Sequence, residues 1–261
     1  MRFPLKLKHV EFNYGSTKLL IICDELKVGV ASIIKIFDFE YLLKVPVNDG
    51  LMNVENLVPE VEYRTLIQPE DPKPQQVVGK ALWYIDNESV FVCTDDGYIC
   101  RYDNQGKLIA RALIHERTKI NGITFSKDFS VFGTAADNGS KILDPETLEI
   151  LRYFKQELPM NSISISPLFC SPSNPKYHMI MGGGVKAILA AMTGGHAGFE
   201  THVCNIMHGS EVGKISGHFG PINSLEFFKD GRGYVSGAEE GTIRVVRFED
   251  AYFEENNPQF E

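Results

Sequence analysis

Apolar and polar positions along this chain follow a two-residue rhythm in short runs, and almost nothing follows the 3.6-residue period of a helix. Over 81–113 the runs read "ALWYI", "VFVCT", "YICRYD" and "KLIARAL", separated by "DNES", "DDG" and "NQG". From Ile120 the pattern restarts as "INGITFS", "VFGTAA", "SKILD" and "ILRYF", again with Asp, Asn and Gly between the runs. After Gly15 come "KLLIICDE", "SIIKIFDF" and "YLLKVPV". Asp, Asn and Gly are the residues for which the special φ values of tight turns cost least, so each group predicts four antiparallel strands joined by short turns.

These meanders recur at a measurable period. The third run of a group ends in an apolar residue followed by Asp, at Phe37-Asp38, Tyr102-Asp103 and Leu143-Asp144, and the last two aspartates are 41 residues apart. Asn121 and Asn161 are 40 apart. "PINSLEFFKDGRGYVSGAEEG" (221–241) also aligns without gaps on "KINGITFSKDFSVFGTAADNG" (119–139), with seven identities in 21 columns. A unit of about 40–45 residues carrying four strands is a blade of the WD-repeat type. The expected fold is therefore all-β, a WD-repeat β-propeller with about five blades at 5–47, 78–113, 118–155, 159–216 and 217–250, in one domain over 1–261. The Pro-rich segment 48–76 reads as a loop between blades, and "LFCSPSNPK" (168–176) as an insertion between the first two strands of the fourth blade.

A WD blade is held by an internal polar chain: His before the first strand, Ser or Thr on the second, Asp in the next turn, and Trp on the third. Buried polar groups are costly unless satisfied, so such a chain fixes one geometry. His218, Ser236 and Glu239 or Glu240 fit this pattern in the last blade, with Val246 at the Trp position. His115, Thr134 and Asp137 fit it earlier, with Leu143 there. Both histidines read as blade-network members rather than catalytic bases.

The formal charge of −8 argues against the broad basic face that a phosphate backbone requires, so direct RNA binding is not expected. No run approaches the 18 apolar residues of a membrane span, and the expected location is cytoplasmic. The five scattered cysteines contain no CxxC pair and read as reduced thiols. His196, His202, Cys204 and His208 have the spacing H-x5-H-x-C-x3-H. Strand alternation puts His202 and Cys204 on one face, away from the other two, so no metal site is assigned. The triple glycine 182–184 lacks the Lys-Ser/Thr and helix of a P-loop and reads as a strand end where backbones approach closely. No Ser-His-Asp order or nucleophile elbow occurs, and neither an enzyme nor a cofactor is expected. The acidic tail 251–261, which opens with Tyr252-Phe253, reads equally as an interaction element or as a fraying terminus.

The later blades carry a more specific signal. Gly182 to Gly184, Thr193, Gly198-Phe199-Glu200, "GHFGP" (217–221) and Tyr252-Phe253 stand in an order and spacing that resembles the translation initiation factor 3 subunit i family, and "ELPMNSISISP" (157–167) resembles the stretch before its triple glycine. The resemblance implies a non-catalytic scaffold within initiation factor 3, with subunits b and g as partners, subunit b through a C-terminal helix, and contact with the 40S ribosomal subunit through the complex. It also implies seven blades, of which this sequence starts at what resembles the third; truncation is the preferred explanation. Lys186 and Leu189 replace two acidic residues of the family pattern. With Thr193, they mark where contact with subunit b is expected to differ most. The competing reading is a WD-repeat adaptor of a different assembly, such as a ubiquitin ligase or signalling complex.

Overall fold

The computed structural model describes residues 6–24, 32–45, 47–48, 51–52, 58–64, 78–185 and 198–254. The chain divides into two compact units, 1–117 and 118–261.

In the first unit, one sheet has the order β1-β2-β3-β6, formed by β1 (Lys6–Phe12), β2 (Lys18–Asp24), β3 (Ile33–Asp38) and β6 (Val61–Arg64). The second sheet is a plain meander of β7 (Val78–Trp83), β8 (Ser89–Thr94), β9 (Tyr98–Asp103) and β10 (Leu108–Leu113). Leu20, Ile22, Ile34 and Ile36 of the first sheet pack on Val78, Ala81, Trp83, Val90 and Val92 of the second.

The second unit holds three sheets. The third sheet comprises β11 (Ile120–Phe125), β12 (Phe132–Ala136), β13 (Gly139–Leu143) and β14 (Ile150–Lys155). The fourth comprises β15 (Met160–Ile165), β16 (His178–Gly183), β17 (Thr201–Asn205) and β18 (Ser210–Ile215). The fifth comprises β19 (Ile222–Phe227), β20 (Gly233–Ala238) and β21 (Ile243–Arg247). All pairs are antiparallel. β11 meets β15 and β15 meets β19, so the three sheets pack in sequence through their first strands. This is the blade architecture of a WD β-propeller.

Three expectations need correcting. "YLLKVPV" (41–47) does not open as a strand: its first three residues belong to α1 (Phe39–Leu43), whose first turn is capped by the Asp38 carboxylate accepting the Tyr41 N–H at 2.8 Å. The stretch 48–76 is not simply a loop. β4 (Val47–Asn48) at its start pairs with β5 (Leu51–Met52) within it, and it supplies β6 as the fourth strand of the first sheet. The last blade has three strands, not four, among the described residues.

Each sheet's first strand carries a β-bulge at the same place. The register breaks at Lys8, Gly79, Asn121, Asn161 and Asn223. A bulge re-aims the side chain it carries. Asn121 donates from Nδ2 to the Met160 carbonyl at 3.1 Å, and Asn161 donates to the Ile222 carbonyl at 3.0 Å. Each of these two amides therefore ties one sheet to the first residue of the next, which explains the 40-residue spacing of the pair.

Candidate binding platform on the last two sheets

The polar network of the fifth sheet is assembled around His218. Its side chain is buried, with Nδ1 at 2.7 Å from Glu240 Oε1 and Nε2 at 2.8 Å from Ser236 Oγ. A carboxylate can only accept, so Nδ1–H donates to Glu240, and in the neutral imidazole Nε2 accepts the Ser236 hydroxyl. The Thr242 hydroxyl donates to the same Glu240 oxygen at 2.6 Å, and the Phe219 N–H reaches it at 3.4 Å. Partial burial disfavours the charged Glu240 carboxylate, but the donors from Thr242 and His218 outweigh it and lower its pKa to about 2. Glu239 lies outside this network. Its amide bonds to the Pro221 carbonyl, and its side chain faces a cavity. Thr242 was not singled out in the sequence, although its place two residues after Glu240 carries the signal.

The other proposed network residues fall in different units. His115 belongs to the first unit, fully buried, with its amide on the Gly97 carbonyl at 3.0 Å. Thr134 and Asp137 belong to the second. The Thr134 hydroxyl donates to the Lys141 carbonyl at 3.2 Å, and Asp137 accepts from Asn121 at 2.7 Å. A further network of the same kind sits in the second sheet, where the Thr94 hydroxyl donates to Asp96 and accepts the Tyr98 N–H.

Of the positions considered for metal, His202, Cys204 and His208 lie among the described residues. His202 Nδ1 pairs with Glu211 at 2.6 Å, while His208 is exposed. Burial pushes the Cys204 thiol up to about 12, which keeps it protonated and a poor ligand. No cluster able to hold a metal occurs among the described residues, and His196 lies outside them.

The triple glycine is a packing device. A Cβ on Gly183 would fall 2.0 Å from the Pro159 carbonyl oxygen, and one on Gly182 would meet Leu225 Cδ2 at 2.8 Å. Gly184 takes a φ of 112°, which favours glycine. This close approach brings β16 onto β19, and a cavity of about 430 Å³ lies at the start of β15 and β19, lined by Pro159, Asn161, Gly184, Val185, Pro221, Asn223 and Glu239. Lys186, Leu189 and Thr193 follow in the chain and lie outside the described residues.

Phe248 and the 3₁₀ turn Asp250–Phe253 complete the platform. Tyr252 is buried, with its hydroxyl 2.7 Å from His178 Nδ1 and its ring under the Lys176 ammonium. Asn174 Nδ2 donates to the Phe253 carbonyl at 2.6 Å. The insertion 168–176 and the start of the tail thus hold each other, and of the two readings of the tail neither applies to Tyr252.

A WD domain, G-beta repeat family model matches residues 209–246. Eukaryotic translation initiation factor 3 subunit I of Drosophila grimshawi is 35% identical over 186 residues, covering 70% of this chain and 55% of that protein. The protein of the same name from Scheffersomyces stipitis is 31% identical over 261 residues, covering 96% of this chain and 69% of its own length. That from Dictyostelium discoideum is 28% identical over 255 residues, covering 97% and 69%. The chain therefore spans from about half to about two thirds of the relatives it matches. At 31% identity over more than two thirds of a relative, with a WD repeat matched from β18 through β21, the chain belongs to the family of eukaryotic translation initiation factor 3 subunit I.

Proposed function

We propose that this chain is a non-catalytic scaffold subunit of translation initiation factor 3, docking subunits b and g and supporting recruitment of the 40S ribosomal subunit in the cytoplasm. The observation that carries the reading is the likeness to subunit I proteins over almost the whole chain. The bonds of four histidine rings support it. His9 bonds to the Ala81 carbonyl, His178 to Tyr252, His202 to Glu211 and His218 to Glu240 and Ser236, so each ring has a structural bond. Sheets locked in this way offer rigid faces and ends on which a partner helix or extended peptide docks without induced folding. The negative charge suits basic or mixed partners better than bare RNA.

Affinity capture of the tagged chain from its native cells, followed by mass spectrometry, tests this. Recovery of initiation-factor subunits and 40S proteins is expected. Recovery of ubiquitin-ligase or signalling components in their place would favour a WD-repeat adaptor of a different assembly.

A further inference from the structure

Residues 166–177 join β15 to β16 and belong to neither strand. This stretch holds both Ser-Pro pairs of the sequence, Ser166-Pro167 and Ser171-Pro172, and no Thr-Pro pair occurs. Proline has no N–H and keeps the residue before it extended. A Ser-Pro pair is thus a hydroxyl on extended backbone that is barred from a ladder, the form in which a proline-directed protein kinase takes its substrate. Whether either pair can serve depends on what the fold does with it.

Ser166 is fully buried. Its N–H donates to the His178 carbonyl at 2.9 Å, its hydroxyl accepts the Leu168 N–H at 3.2 Å, and its carbonyl accepts the Phe169 N–H at 3.0 Å. Every polar group of that residue is committed to the fold. Leu168 and Phe169 anchor the stretch that follows. Phe169 is buried edge-on against Tyr177, with ring centroids 5.5 Å apart, and a Cβ on Gly231 would meet Leu168 at 2.6 Å. Lys176 anchors the other end, where its N–H shares the Leu168 carbonyl with that of Ser171, both at 3.0 Å.

Between these anchors the chain turns outward. Cys170, Pro172 and Ser173 are exposed, Ser171 is partly so, and the Ser171 hydroxyl has no bonding partner among the described residues. Ser173 is followed by Asn174 and lacks the proline. Of the three serines, only Ser171 combines access with a following proline.

We propose that Ser171 is the acceptor for a proline-directed serine kinase, with ATP as the donor. Its Oγ displaces ADP from the γ-phosphorus, and the hydroxyl proton passes to the catalytic aspartate of the kinase. The phosphate adds a charge of about −1.5 to −2 at neutral pH. It lands beside the Lys176 backbone and three residues before Asn174, whose side chain donates to the Phe253 carbonyl at 2.6 Å. The modification therefore acts where the insertion and the turn Asp250–Phe253 hold each other. It is independent of the initiation-factor reading.

Incubation of the purified chain with ATP and a purified mitogen-activated protein kinase, followed by mapping of the phosphate by mass spectrometry, tests this. A synthetic peptide of residues 162–178 serves as the unfolded control. The peptide should be modified at both Ser166 and Ser171, and the folded chain at Ser171 alone, with Ser173 untouched in either. Ser171→Ala and Pro172→Ala should each abolish labelling of the chain, and both lie on the outward turn, so circular dichroism should be unchanged. A chain left unlabelled at Ser171, one labelled at Ser166 or Ser173, or a P172A variant labelled like the wild type would each overturn the proposal.

Discussion

Glu239 and Glu240 are adjacent carboxylates, equally placed in the sequence to serve the last blade, yet only Glu240 meets His218. In Glu240→Gln the charge-assisted bonds from His218 and Thr242 weaken, and we expect a loss of about 1–3 kcal/mol in urea unfolding. Glu239→Gln should stay within about 0.5 kcal/mol, as for surface substitutions generally. Acidity should separate them as well. The folded-state pKa of Glu240 is depressed from 4.5 to about 2, so its contribution is complete above 4.5 and lost as pH falls toward 2. The stability of E240Q should accordingly fall less across that window than the wild type's. Tyr252 makes a second residue-scale test. Tyr252→Phe keeps the ring but removes the hydroxyl bonded to His178 Nδ1, and should lower the melting midpoint by the equivalent of about 1 kcal/mol.

At the scale of the element, the bulged asparagines and the triple glycine decide how one sheet meets the next. Asn161→Ala removes a bond between sheets and should cost about 1 kcal/mol, whereas Asn223→Ala should cost little, because the residue is exposed. Gly183→Ala should be worse than Gly182→Ala, at about 2–3 kcal/mol, since its Cβ would strike a backbone carbonyl and not the movable end of Leu225. Denaturant midpoints of the four variants check the order. The sequence disclosed these features unevenly. Turn residues and alternation located most strands, because each signal is local. The 40-residue spacing of Asn121 and Asn161 was visible, but its cause was not: the carbonyl each amide reaches lies in the next repeat. β6 was hidden because four residues among prolines are too few to show a period, and it pairs with β3 across a long excursion. α1 was misread because "YLLKVPV" has the composition of a strand, and the single Asp38 cap outweighed that propensity.

Across the whole molecule, the same contrast separates scaffold from partner contact. A chain of net charge −8 in which His9, His178, His202 and His218 form structural bonds has surface chemistry suited to cationic or mixed partners. Within that acidic background, Lys186 and Leu189 stand where the family pattern has two carboxylates. Both lie outside the described residues. If subunit b docks through a helix against this segment, the pair Lys186→Glu and Leu189→Asp restores two negative charges at the contact and should increase the amount of subunit b retained in a pull-down. The gain should shrink as salt is raised, because contacts between exposed charges are screened within about 10 Å at 0.1 M. The same variant should retain subunit g unchanged, which distinguishes a local contact from a general effect of added charge. Unaltered retention of subunit b at low salt would move its docking surface to another part of the chain.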